Sequence, residues 1–174
     1  DVLSASTVGA AFDAEAFVGR DPATGTPAVT AFPHSDVESR RVHVIGTGRP
    51  TARVVARLAA AGHEPSVGVV PEGDAVAGAA ADAGATAVTA PPFEAPSEAT
   101  LAAARELAAD ADATLAVGTE RSGDGADGPT ADGPTADGPN AEVAAAADRV
   151  VPVSSDIGGR ELLDAVAAAT ADGE

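Results

Sequence analysis

The residues with the clearest chemical potential are two glycines, Gly46 and Gly48, which separate a β-branched run from a helical pattern. A loop of this kind presents backbone N–H groups at a helix N-terminus, where anions bind readily. Arg49 comes next and could add positive charge beside a bound anion. Thr51 stands where the dinucleotide-binding fingerprint has its third glycine, so the match to that fingerprint is partial. The simpler interpretation is a tight turn between strand and helix that holds no ligand.

A second group of residues is expected to meet this loop. In an open parallel sheet, ligands bind at the carboxyl ends of the strands where the strand order reverses, and the predicted fourth strand ends next to the first. Acidic residues also follow the second strand, where a dinucleotide site holds the ribose hydroxyls. One of them, Asp74, equally fits as a helix cap. The candidate ligand-binding residues are Gly46, Thr47, Gly48, Arg49, Glu72, Asp74, Gly118 and Thr119.

Other chemistries lack the residues that they need. Cysteine and lysine do not occur, which excludes thiol catalysis, cysteine-ligated metals and a Walker phosphate loop. His34, His43 and His63 stand apart with no second ligand at metal-binding spacing, so a satisfied structural role is expected for each. Ser154 and Ser155 lack a Gly-x-Ser-x-Gly context and are expected to be turn and capping residues. The sequence predicts no catalytic residue, no metal site and no cofactor within the chain.

The elements that must position the candidate residues alternate between strand and helix from residue 42 onward. This alternation predicts an α/β fold, a Rossmann-like three-layer domain with a five-stranded parallel sheet in the order 3-2-1-4-5. The predicted strands are 42–45, 66–70, 86–89, 114–117 and 149–153, and the predicted helices are 50–61, 74–83, 97–109, 141–147 and 158–169.

Two regions lie outside this pattern. Residues 1–40 predict a short helix that ends near residue 11, a β-hairpin with strands at 14–20 and 27–32, and a polar linker, so the Rossmann-like domain spans 41–174. Within it, residues 118–140 contain three tandem Ala-Asp-Gly-Pro repeats. Because Asp-Gly-Pro interrupts both helix and strand, a flexible insert is expected there, without the ligand density of a calcium loop.

The composition is strongly acidic, with 27 acidic residues against 10 arginines and a net charge of -17. Good hydrophobic periodicity argues for a folded domain with a solvated acidic shell and against a disordered chain. The acidic surface is interpreted as an adaptation to high salt, as in a halophilic protein, rather than as a binding surface for a basic partner. Nucleic-acid binding is not expected, because no basic patch is present. No long apolar run and no signal peptide is visible, which favours a cytoplasmic location. The start at Asp1 without any methionine suggests a fragment of a longer protein.

Two local patterns carry a family resemblance. Residues 2–33, with the turn Asp21-Pro-Ala-Thr-Gly25, resemble the segment that closes the nucleotide-binding domain of ABC importers of the cobalamin and ferric-siderophore type. The remainder is similar to the C-terminal accessory domain of some archaeal ATPases of this type, through Val42-His-Val-Ile-Gly46, Gly68-Val-Val-Pro-Glu-Gly-Asp74, Ala90-Pro-Pro-Phe93 and Gly138-Pro-Asn-Ala-Glu142. The Asp-Gly-Pro repeats depart from the pattern of those ATPases.

The resemblance implies a parent ATPase at the cytoplasmic face of the membrane, with transporter membrane subunits as partners. ATP and Mg²⁺ would bind in a part of the parent that precedes this chain. The chain itself would be a non-catalytic, regulatory domain that senses a small ligand or pairs with a second copy. Two alternatives stay open: a small Rossmann oxidoreductase that uses NAD(P), and a purely structural dimerisation module.

Overall fold

The structure, a computed structural model, describes residues 14–20, 26–33, 38–118 and 138–171. The predicted N-terminal helix, and the Asp-Gly-Pro repeats up to residue 137, lie outside the described residues. The strands are β1 (Ala14–Arg20), β2 (Pro27–Pro33), β3 (Arg41–Ile45), β4 (Glu64–Pro71), β5 (Thr86–Ala90), β6 (Ala113–Val117) and β7 (Val150–Val153). The helices are α1 (Gly48–Ala60), α2 (Ala75–Ala83), α3 (Glu98–Ala109), α4 (Pro139–Ala146) and α5 (Gly159–Ala171).

The two N-terminal strands form the predicted hairpin. β1 pairs with β2 in an antiparallel register that joins Ala14 to Pro33 and Arg20 to Pro27. The hairpin is a sheet of its own and lies beside α1 and α2.

The main sheet has five parallel strands in the order β5-β4-β3-β6-β7, which confirms the predicted order 3-2-1-4-5. Strand β3 is central, with Val44 beside Val67 of β4 and beside Leu115 of β6. Its residues after Arg41 are all buried. Continuous β-branched runs suit such a strand, because helices cover both of its faces.

Helices α1, α2 and α5 cover one face of the sheet, and α3 and α4 cover the other. The first face is filled by valines and leucines, among them Leu58 of α1 and Leu162 of α5. On the second face, Ala104 and Ala108 lie one helical turn apart and let α3 approach the sheet closely. Small aliphatic side chains therefore fill both layers, as a composition with 2% aromatics requires. None of the helices in the described ranges is long and apolar enough to cross a bilayer.

Several helix ends differ from the predicted ends by one to two residues. α1 begins at Gly48, two residues before the predicted Pro50, because proline is also tolerated within the first turn of a helix. Helix α4 begins at Pro139, two residues before the predicted start. At the other end of the insert, Gly118 extends the β6–β7 ladder, because its N–H donates to the Val153 carbonyl. The ordered elements thus extend into both ends of the 118–140 range that was predicted as a flexible insert.

The loop after β5 contains a strained and fully exposed phenylalanine. Phe93 has a φ of 66°, the one positive value at a non-glycine position among the described residues. Phe93→Gly is expected to raise the free energy of unfolding by about 0.5–1 kcal/mol, since relief of the left-handed strain outweighs the added chain entropy. Chemical denaturation measures the change. Glu94→Gly is the control and should not stabilise; equal stabilisation by both variants would contradict the role of strain.

Candidate functional site

The β3–α1 loop meets the end of β6 at the carboxyl edge of the sheet, as the predicted topology requires. A Cβ placed on Gly46 would lie 2.5 Å from Thr51 Oγ1 and 3.3 Å from the Val117 Cβ. Thr51 is buried and its hydroxyl donates to the Thr47 carbonyl at 3.1 Å. The residue in the place of the third fingerprint glycine therefore packs directly against the first glycine.

Asp74 occupies the position where an anion was expected. Its carboxylate accepts hydrogen bonds from the Gly48 N–H, with its two oxygens at 3.0 and 3.3 Å, and from the Val76 N–H at 2.8 Å. One side chain thus caps α2 and also satisfies the first N–H of α1. The capping role predicted for Asp74 is confirmed: Oδ1 accepts from both the Gly48 and the Val76 N–H groups, and Oδ2 makes only the longer contact with Gly48.

The first turn of α1 has one donor fewer than usual, because Pro50 has no N–H. The Thr47 side chain makes no capping bond, so it does not occupy the N–H groups that remain. Arg49 is exposed, and among the described residues its side chain forms no ion pair. A phosphate at this loop would have to compete with the Asp74 carboxylate, so the loop is not a preformed anion site.

The other candidate residues lie apart from this carboxylate. Glu72 is exposed in the turn after β4, where its N–H donates to the Ala90 carbonyl at 2.8 Å. Gly118 uses its N–H in the bond to β7, at 3.0 Å from the Val153 carbonyl. Thr119 lies outside the described residues. The structure therefore brings Gly46, Gly48 and Asp74 together, leaves Glu72 on the surface and places Gly118 beside β7.

Removing the Asp74 carboxylate should weaken the fold and uncover the loop. Asp74→Ala is expected to lower the free energy of unfolding by about 1–2 kcal/mol, because two helix N-termini lose their acceptor. Asp74→Asn is the matched control, since it keeps a capping oxygen without the charge, and it should lose much less. Denaturation curves measure both variants, and equal losses would show that the charge, not the cap, is what stabilises.

The two histidines that the structure describes, His43 and His63, are both buried, as a structural role predicts, but other protein atoms satisfy their ring nitrogens only in part. His43 on β3 has its Nδ1 atom 2.9 Å from the Ser66 Oγ, but its Nε2 atom has no partner within the described ranges. Burial lowers the pKa of His43 to about 4. His63 is also buried, and neither ring nitrogen has a partner in the described part of the chain. Burial, and then the charge of Arg40, lower the pKa of His63.

A cleft of about 440 Å³ lies at the opposite, amino-terminal edge of the sheet. Arg41 lines the cleft. Its guanidinium and its backbone N–H both donate hydrogen bonds to the Asp112 carboxylate, and these bonds lower the pKa of Asp112. Ser66 and His63 also line the cleft. No sequence signal indicated it, because its walls come from the starts of several strands and the ends of two helices. Within the described ranges, no group of histidines and carboxylates is arranged to hold a metal ion. His34 lies outside those ranges.

Comparison with known proteins identifies the family of the chain. A profile of the MJ0874 family matches residues 65–172, which is more than half of the sequence. The chain belongs to the MJ0874 family. The match begins within β4, so Gly46 and Gly48 lie before it, whereas Asp74 lies inside it.

Two curated relatives add a more specific likeness. Both are named cobalamin import ATP-binding protein BtuD and come from two strains of Halobacterium salinarum. Each is 49% identical to this MJ0874-family chain over 75 residues, which cover 42% of this chain and 19% of the relative. The chain thus spans about a fifth of the length of these relatives. No solved structure matches it.

Proposed function

We propose that this chain is a non-catalytic accessory domain of an ATP-driven cobalamin importer. The observation that carries the proposal is the 49% identity to the cobalamin import ATP-binding proteins. The chain has no lysine and therefore no Walker loop, so ATP and Mg²⁺ are assigned to another part of the parent protein. The parent would lie at the cytoplasmic face of the membrane and act on membrane subunits. A ferric siderophore is the alternative cargo.

The domain would influence the ATPase through a ligand at the carboxyl edge of its sheet. This edge is where open α/β sheets bind ligands. The Gly48 N–H already donates to the Asp74 carboxylate, whose negative charge also repels a phosphate. The edge therefore suits a neutral hydrogen-bonding ligand better than a phosphate. A corrinoid carries neutral carboxamides, which the exposed Thr47 hydroxyl and the Glu72 and Arg49 side chains could bind. Pairing of two copies is the other route of regulation.

Titration calorimetry and thermal denaturation at high salt test ligand sensing. Cobinamide or cobalamin should raise the midpoint of unfolding, whereas phosphate, NAD and NADP should not. Thr47→Ala is a useful variant because the Thr47 side chain makes no capping bond, so it should weaken corrinoid binding without loss of stability. Absence of any corrinoid response would contradict the sensing role. Binding of a nicotinamide cofactor would instead favour the oxidoreductase alternative.

Light scattering tests whether two copies of the domain pair. A concentration-dependent dimer would support regulation by pairing or a dimerisation module, whereas a strict monomer would exclude both. Deleting the domain from the intact ATPase should change its corrinoid-stimulated turnover. If turnover is unchanged, the accessory role is contradicted.

A further inference from the structure

The cleft at the amino-terminal edge of the sheet has a volume of about 440 Å³. Pockets of roughly 300–1,000 Å³ hold small organic ligands in other proteins. Apolar residues form part of the wall, among them Pro65, Ala85 and Leu107. Glu64 and Asp110 add two exposed carboxylates. The cleft is thus large enough for a small organic molecule, and its wall combines apolar surface with negative charge.

Negative charge exceeds positive charge around this cleft. Among the residues that line it, Arg41 is the only arginine. Its guanidinium is already hydrogen-bonded to Asp112, and this bond is the main reason that the pKa of Arg41 is raised. The charges of Asp110 and Glu64 act on the same guanidinium. One arginine therefore faces three carboxylates, which leaves a surplus of negative charge.

Two helix C-termini add to this surplus. Helices α2 and α3 both end at the cleft, which Ala83 and Leu107 line from their last turns. A helix C-terminus carries partial negative charge, which a basic residue in the last turn can offset. Neither helix has such a residue. The C-cap of α3 is Asp110, and a carboxylate is unfavourable at this end of a helix. A bound cation would relieve the arrangement.

His63 lines the same cleft and lacks hydrogen-bond partners. The residue is 4% exposed, and neither ring nitrogen has a partner within the described ranges. Because buried polar groups are nearly always hydrogen-bonded, the two nitrogens need a partner from outside these ranges. Burial, followed by the charge of Arg40, lowers the pKa of His63, so the ring is neutral and offers one donor and one acceptor. A neutral polar group suits the ring best, since the charge that acts on it is positive.

We infer that this cleft binds a short aliphatic amine with a neutral hydrogen-bonding group at its other end. The ammonium group donates to the carboxylates of Glu64 and Asp110, and the neutral group bonds to the His63 ring. The aliphatic chain lies on Pro65 and Leu107. A metal ion fits less well, because the described residues hold no cluster of histidines and carboxylates suited to one. The site is at the opposite edge of the sheet from the corrinoid site and is independent of it.

NMR titration of the wild-type chain with aminopentanol, at one high salt concentration, provides the first test. This amino alcohol has an ammonium group at one end and a hydroxyl at the other. It should bind about tenfold more tightly than pentanol, which lacks the charge. It should also shift the nitrogen-15 signals of the His63 ring more than pentylamine does, since pentylamine lacks the hydroxyl. Equal binding of aminopentanol and pentanol, or ring signals that do not move, would overturn the inference.

Variants separate a site from general attraction to an acidic surface. Glu64→Gln and Asp110→Asn each remove one carboxylate from the cleft, and each should weaken aminopentanol binding by about tenfold. Both positions are exposed, so the variants should fold. Glu94→Gln is the matched control, because it removes the same charge from an exposed position at the other edge of the sheet. Losses no greater in the cleft variants than in this control would contradict a specific site.

Discussion

Gly46→Ala is expected to lower the free energy of unfolding by about 2–5 kcal/mol, since it combines backbone strain with a clash in the core. Gly46 has a φ of 150°, and its Cβ would lie 2.5 Å from Thr51 Oγ1. Thr51 is buried and hydrogen-bonded to Thr47, so it cannot move aside freely. Chemical denaturation at constant high salt measures the loss.

Two comparisons separate the clash from the strain. Gly73 has a φ of 81° and nothing within 4 Å of its Cβ position, so Gly73→Ala should show the cost of strain without a clash. Adding Thr51→Ala to Gly46→Ala removes the close hydroxyl, and the double variant should recover part of the loss. A Gly46→Ala loss no greater than that of Gly73→Ala would show that the contact with Thr51 is unimportant.

Acidification is expected to destabilise the protein through His43, with a loss of about 3 kcal/mol between pH 6.5 and 4. Burial lowers the pKa of His43 from 6.5 to about 4 in the folded state. The unfolded chain therefore binds a proton in this window before the folded chain does. Stability from the neutral ring is complete above pH 6.5, falls progressively between pH 6.5 and 4, and levels off below 4, where the folded state is protonated as well. His63, with its lowered pKa, acts in the same direction.

His43→Gln isolates this contribution, because glutamine does not titrate. Unfolding free energies of the variant and the wild type are compared at each pH and at one salt concentration. Falling pH also neutralises carboxylates on a chain with a net charge of -17, so the difference between the two proteins is the informative quantity. That difference should change by about 3 kcal/mol across the window. Parallel curves would contradict the role of His43. Asp112 does not disturb this comparison, because its pKa is lowered and its contribution to stability is lost only at a pH below this window.

Local patterns predicted most of the fold. Apolar periodicity identified the strands and helices of the main sheet, and Gly84 and Ser97 marked helix ends that the structure confirms. The sheet order followed from the chain connectivity, because right-handed crossovers leave few arrangements. These features depend on residues close together in the sequence. The hairpin was predicted from the residue types at 21–25, a signal that is equally local.

The candidate site was predicted less completely. The sequence placed Gly46, Gly48 and Asp74 at the correct edge but did not show that Asp74 satisfies the Gly48 N–H, 26 residues away. It also gave no indication of the unpaired Nε2 of His43. Histidine and asparagine are polar residues that a pattern assigns to the surface or to a satisfied core position.

Sequence alone was enough to determine the α/β architecture, the acidic surface and the absence of thiol or Walker chemistry, because these follow from composition and short-range periodicity. Only the tertiary structure decided which polar groups find partners. Asn140 reaches Val69 and Gly68 from more than 70 residues away, and Arg41 pairs with Asp112 over a similar separation. Such contacts depend on the packing of α4 and of the strand ends, which no local pattern specifies.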